Sequence, residues 1–133
     1  MTKLILWDKK LSVGVNEIDK QHQKLIGIIN SVYEKRDRQD KKISDDINNL
    51  VEFSRVHFST EEKYFEKWNY PFTEEHNSEH EKMILKVLEF SDRFEKGETI
   101  LEELAKFLKS WLEKHLKKHD FKYRDYIKNN NLI

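Results

Sequence analysis

Four stretches of this chain repeat apolar side chains every three or four residues, and very little in the sequence interrupts them. That spacing keeps side chains on one face of a helix with 3.6 residues per turn. It predicts helices over about 17–38, 43–68, 72–96 and 99–128. The first carries Ile18, Leu25, Ile28 or Ile29, and Val32 along one side. The second carries Ile47, Leu50, Val51, Ser54, Phe58 and Phe65, and the third Met83, Ile84, Val87, Leu88 and Phe94. The fourth carries Leu101, Leu104, Leu108, Trp111, Leu112 and Leu116. The breaks between them are short. Asn16 followed by Asp19 is expected to cap the first helix, and the polar stretch Asp37 to Lys42 makes the first turn. Asn69-Tyr70-Pro71 ends the second helix, because proline disfavours helix in the residue before it. Gly97 breaks the third, and Thr99 with Glu102 has capping-box spacing. Residues 1–16, which include Gly14, show no helical period and read as an irregular N-terminal arm, and Asn129 to Ile133 reads as a frayed tail. The expected fold is all-α: one domain over 1–133, an up-down-up-down four-helix bundle.

Composition agrees and removes several functions. Three glycines and one proline are too few for a turn-rich β fold. Hydrophobic residues at 37% and charged residues at 38% suit one apolar stripe per helix under a charged exterior. Lys plus Arg and Asp plus Glu each total 25, so no net charge points to nucleic acid or anionic lipid. Without cysteine there is no disulfide, thiolate ligand, iron–sulfur cluster or c-type haem. The only apolar run near the start, Leu4 to Trp7, is too short for a signal-peptide core, and no run is long enough to cross a bilayer. A cytoplasmic protein is the expectation.

The histidines break the apolar stripes. His57 and Glu61 lie four apart where Leu would be expected on the second helix. His76 and His80, also four apart, continue the line of Met83, Val87 and Phe94. His115 follows Leu108, Trp111 and Leu112, and His22 precedes Leu25 and Ile29. Each helix therefore aims at least one histidine inward. A buried Glu without a partner is costly. A cation is the economical partner for one carboxylate among several imidazoles. On the fourth helix the spacing leaves two candidates. His119 is four residues from His115, whereas Asp120 is five away and would share its face only through a π-bulge or a break near Lys117.

At this point the chain resembles the hemerythrins, specifically the single-domain bacterial ones. The residues that carry the resemblance run in order along nearly the whole chain. They are Trp7-Asp8, Ser12-Val13-Gly14-Val15, Ile18-Asp19-x-Gln21-His22, His57-Phe58-x-x-Glu61-Glu62, Tyr70-Pro71, His76-x-x-x-His80, Trp111-Leu112-x-x-His115 and Asp120-x-x-Tyr123. Tyr64 and Phe65 depart from the pattern, standing where a methionine is frequent. The resemblance implies a pair of non-haem irons joined by an oxo or hydroxo bridge. His76, His80 and His115 would bind one iron, His22 and His57 the other, with Glu61 and Asp120 bridging them. His119 falls outside the pattern, behind the ligands or at the surface.

That ligand count leaves one iron a position short, which is where a small ligand binds, and the implied ligand is dioxygen, taken up reversibly. The total charge of the cluster is the same with and without dioxygen, so a dry pocket absorbs no new charge. Ferritin-like di-iron oxidases use Glu-x-x-His pairs, and this chain has none. The implied role is a carrier, not an enzyme. Leu25, Phe58, Trp111, Leu112 and Leu116 would form the apolar wall of the dioxygen pocket, Trp7 would pack over the cluster and Trp68 would cap helix two. Expected partners are dioxygen, an electron donor and an oxygen-consuming oxidase; nucleic acid and membrane are not expected, and a monomer is. The rival readings are a di-iron enzyme acting on peroxide or nitric oxide, an oxygen or iron sensor module, and a zinc or mixed-metal site with the same ligands.

Overall fold

A computed structural model describes residues 4–38 and 42–132. Four antiparallel helical segments form the bundle: α1 (Asn16–Glu34), α2 (Lys42–Trp68), α3 (Thr73–Glu95), and α4 (Leu101–His115), which passes through a π-helical turn (Leu116–Asp120) into α5 (Phe121–Asn129). The first lies against the second and fourth, and the third closes the ring between α2 and α4. No helix among the described residues is long and apolar enough to cross a membrane.

Each helix buries a ladder of side chains spaced alternately three and four residues apart, the spacing that keeps one seam facing the bundle axis. In α1 the rungs are Ile18, His22, Leu25, Ile29 and Val32. In α2 they are Ile43, Ile47, Leu50, Ser54, His57, Glu61, Phe65 and Trp68. In α3 the ladder runs through His76, His80, Met83, Val87, Phe90 and Phe94. This corrects one sequence expectation. Leu88, read as inward, is 42% exposed, while Phe90 is buried, because the ladder steps from Val87 by three residues and not by one.

Helix ends follow backbone chemistry more than side-chain caps. At the end of α2, Asn69 takes a left-handed φ of 51°. Tyr70 N–H then bonds Phe65 C=O at 2.9 Å and Asn69 N–H bonds Glu66 C=O at 3.3 Å, the paired bonds of a Schellman turn, with Tyr70 stacked near Phe65. Gly97 (φ 92°) closes α3 in the same way, and Asn131 (φ 53°) closes α5 where fraying was expected. α1 stops at Glu34, short of the expected 38, and the expected turn at Asp37 to Lys42 lies partly outside the described residues, as do Met1 to Lys3 and Ile133. At the start of α4, Ile100 holds the cap position without a side-chain hydrogen bond, so the helix begins at Leu101 and not at the capping-box position.

The arm is irregular except for a single 3₁₀ turn at Lys9–Leu11. Two buried or half-buried side chains of α1 pin it. Asn30 pairs with both backbone groups of Ile5, accepting from its N–H at 2.9 Å and donating to its C=O at 2.8 Å. Asp19 accepts from Val13 N–H at 2.9 Å and from the Ser12 hydroxyl. Asn16 followed by Asp19 was expected to cap α1, yet Asn16 is the first residue of the helix and the Asp19 carboxylate faces backwards onto the arm. Val15 occupies the cap position without a side-chain bond. Trp7 packs against the core but makes no ring contact with a site histidine among the described residues. Trp68 sits at the end of α2 as expected, with its carbonyl accepting from the Tyr126 hydroxyl at 3.0 Å.

Candidate metal centre

The polar rungs of all the ladders meet at one level of the bundle. His22, His57, Glu61, His76, His80, His115 and Asp120 are all buried, and Glu61 and Asp120 have no exposure at all. What brings Asp120 to this level is the π turn. Phe121 N–H bonds the carbonyl of Leu116, five residues back. In such a turn residues five apart stack as residues four apart do in an α-helix. Asp120 thereby comes to lie over His115, with Nε2 to Oδ1 at 3.1 Å. The choice that spacing left open is thus made by the backbone: Asp120 faces the other histidines and His119 is turned aside. His119 is still buried, its ring 5.2 Å from that of His115 and 5.8 Å from that of His76. Its nitrogens point towards Glu75 and Glu79 at 4.0 and 3.8 Å.

The side chains fall into two overlapping sets. Glu61, His76, His80 and His115 offer ligand atoms that all lie within 4.8 Å of one another, and so do His22, His57 and Glu61. Glu61 belongs to both, its Oε1 lying 3.1 Å from His80, 3.5 Å from His57 and 3.6 Å from His76. Asp120 spans them with separate oxygens: Oδ1 is 3.1 Å from both His76 and His115, and Oδ2 is 3.2 Å from His22. Every one of these contacts uses Nε2, the ring atom farthest from the backbone.

The donor set fits a cation. Glu61 Oε1, both Asp120 oxygens and His76 Nε2 are fully enclosed yet make no well-aligned hydrogen bond, although ring nitrogens are near. Buried polar atoms without partners are rare in folded proteins. The metal-free electrostatics say the same. Burial and the Asp120 charge push the Glu61 carboxyl up, but His57, His76 and His80 outweigh them and hold it well below the usual carboxylate range. Asp120 is held low against its own burial by His115, His22 and His76. Burial drives His57 down to about 3 and His80 down to about 4, so both are neutral near pH 7. Burial would also lower His76 and His22, but the adjoining carboxylates raise them, His76 to about 9. The buried carboxylates thus favour a proton on His76 and on His22, and a metal ion displaces such protons when it binds.

Aromatic rings fix several of the imidazoles. Phe58 stacks on His80 at 3.7 Å and 5°, and Trp111 stacks on His115 at 4.3 Å and 12°. Leu25, Leu112 and Leu116 are buried beside these rings, and Trp111 is half-buried. Beyond Leu112 and Leu116 a cleft of about 390 Å³ lies under the arm, lined by apolar side chains such as Ile5, Leu11 and Ile26 and by the charged Asp8, Lys10, Lys109, Glu113 and Lys117. Two polar contacts went unnoticed in the sequence. Tyr123, buried and held unionised by its burial and by Asp120 and Glu61, donates to Glu61 Oε2 at 2.5 Å. Gln21 reaches from α1 to His57 Nδ1 at 2.8 Å. The signal for Tyr123 was its place three residues after Asp120. Gln21 stands in the motif before His22, but its contact had no signal in the spacing, since it lies off the inward face of α1.

A layer of imidazoles sharing two carboxylates inside four antiparallel helices defines a metal-binding helical bundle. The chain belongs to the hemerythrin family, whose members bind non-haem iron: the family model for the hemerythrin HHE cation binding domain matches residues 13–127. It is 33% identical over 126 residues to a bacteriohemerythrin of Stenotrophomonas maltophilia, covering 94% of this chain and 82% of that one. It is 32% identical to a bacteriohemerythrin of Clostridium acetobutylicum, covering 92% and 100%, and 30% identical to a hemerythrin-like protein of Naegleria gruberi, covering 91% and 92%. The crystal structure of a wild-type hemerythrin superposes with a TM-score of 0.85 at 22% identity, covering 92% of this chain and 96% of that one, and shows the same fold.

Proposed function

We propose that the chain binds dioxygen reversibly at a pair of non-haem irons, serving as a carrier or store and not as an enzyme. The observation that carries this reading is the unequal division of the ligand atoms. One set has three imidazoles and the other two, and Glu61 and Asp120 reach both. His76, His80 and His115 would hold one iron, and His22 and His57 the other. An oxo or hydroxo bridge would join them, leaving the two-histidine side one ligand short and open to a small molecule. Irons held by these residues would supply the redox chemistry that reversible dioxygen binding needs.

The chain's own residues provide the rest. Five imidazoles add no charge to the centre when they act as neutral ligands, so the chain's own contribution of negative charge is the two carboxylates. Leu25, Phe58, Leu112 and Leu116 exclude water from the ligand side, and Trp111 closes over His115. Tyr123 keeps one oxygen of Glu61 fixed by donating its hydroxyl proton. An electron donor that returns oxidised iron to the ferrous state is the implied partner, with an oxygen-consuming oxidase as recipient.

Anaerobic titration of the metal-free chain with ferrous iron tests the assignment. Uptake should saturate at two ions per chain, and an Asp120→Ala variant should fail to hold both. Saturation at a single ion, or an Asp120→Ala variant that still takes two, contradicts it.

A further inference from the structure

Among the described residues, only His57 of the five imidazoles has its second nitrogen in a hydrogen bond. Nδ1 of His22, His76, His80 and His115 has no hydrogen-bond partner there, and the rings of His80 and His115 are set by stacking on Phe58 and Trp111. His57 Nδ1 instead lies 2.8 Å from Gln21 Oε1. The other end of the Gln21 amide donates to Thr60 Oγ1 at 3.1 Å, and the Thr60 hydroxyl donates to Val56 C=O at 3.0 Å.

The polarity of this relay settles a proton. Because the Thr60 hydroxyl hydrogen is spent on Val56, its oxygen can only accept, so the NH₂ of Gln21 faces Thr60. The carbonyl of Gln21 therefore faces His57, and a carbonyl oxygen only accepts. His57 Nδ1 must carry the ring proton, which leaves a lone pair on Nε2, the atom aimed at Glu61. We propose that Gln21 is a positioning residue that locks His57 in its Nδ1–H tautomer and so presents Nε2 to a metal ion on the two-histidine side of the centre. This rests on the metal-centre reading given above. It goes further in making the two sides unlike in how their ligands are held: by stacked rings on one, by a hydrogen-bonded amide relay on the other. The amide is also a neutral acceptor, so it orients the imidazole without adding charge.

The test uses the full chain loaded with zinc, which is diamagnetic and accepts imidazole, with ¹⁵N-labelled histidine. In the wild-type protein the His57 ring proton should appear on Nδ1 by NMR. Gln21→Leu should broaden or lose that signal and weaken zinc binding at the two-histidine side by about 10- to 100-fold, with the three-histidine side unchanged in calorimetry. Gln21→Glu retains an acceptor and should restore the Nδ1–H signal, which a merely structural role for the side chain would not do. A wild-type His57 protonated on Nε2 overturns the proposal while leaving the metal centre standing. Failure of the wild-type chain to bind zinc or ferrous iron at all removes the metal centre and the proposal together.

Discussion

On one side of the histidine layer the bundle is packed mainly with aliphatic side chains; on the other it is packed with rings. The larger cluster runs from Leu25, Phe58, Leu112 and Leu116 down through Ile29, Ile47, Leu50, Val87 and Leu108. The smaller one gathers Val13, Val15, Ile18, Phe65, Trp68, Tyr70, Tyr123 and Ile127. The layer of ligands lies between them on α1, with His22 between Ile18 and Leu25, and on α2, with His57 and Glu61 between Leu50 and Phe65. The aromatic end delivers a hydroxyl to Glu61 and a ring edge to His76, so it holds the centre's geometry. The aliphatic end brings apolar surface to the ligands, which on the proposed reading is what keeps water from the dioxygen side.

The comparison can be broken most sharply at the layer itself. Inserting an alanine after Lys118 moves Asp120 one residue farther from His115 than the π turn spans, which turns it off the face of His115 and carries Tyr123 with it. Iron content, measured on the purified protein, should fall from two ions per chain to one or none. If both irons are retained, the π turn does not place Asp120.

A pair of truncations then weighs one end against the other. Leu112→Ala and Ile127→Ala each empty a buried site and should each cost about 2–5 kcal/mol in denaturant unfolding. Only Leu112→Ala, at the aliphatic end, should also speed autoxidation by letting water reach the centre. Equal autoxidation in both variants would remove Leu112 from the wall. Tyr123→Phe leaves Glu61 Oε2 without its donor. The expected cost is about 1–3 kcal/mol, together with a shifted visible spectrum and full iron content; an unshifted spectrum would mean that the hydroxyl does not act on the centre.

The smallest effect belongs to the arm. Asn30→Ala frees both backbone groups of Ile5. Proteolysis near Ile5 should quicken while the iron spectrum stays as in the wild type. A changed spectrum would make the arm part of the centre.

The inward ladders were legible because period and burial coincide: His22, His57, Glu61, His76, His80 and His115 stand on rungs that Leu or Ile would otherwise fill. Leu88 misled because a run of adjacent apolar residues does not reveal which of them faces in, and Phe90 lay beyond it. Asp19 misled because a carboxylate in a first turn can accept from the helix or from the chain before it, and Ser12 and Val13 come into reach only once the arm has folded back. Spacing left Asp120 and His119 open, because side-chain period does not encode a backbone irregularity, and it was the resemblance that implied Asp120. The contact of Gln21 was not legible for a different reason, since it depends on the approach of α2 and on the hydroxyl of Thr60.

Reversible dioxygen binding is tested most directly by the visible absorption of iron-loaded, anaerobically reduced protein, recorded before air, after air, and after purging with inert gas. A charge-transfer band should appear with air and fade on purging, through repeated cycles. A spectrum that changes once with air and never returns would contradict the carrier, and turnover of peroxide or nitric oxide would then be the activity to measure.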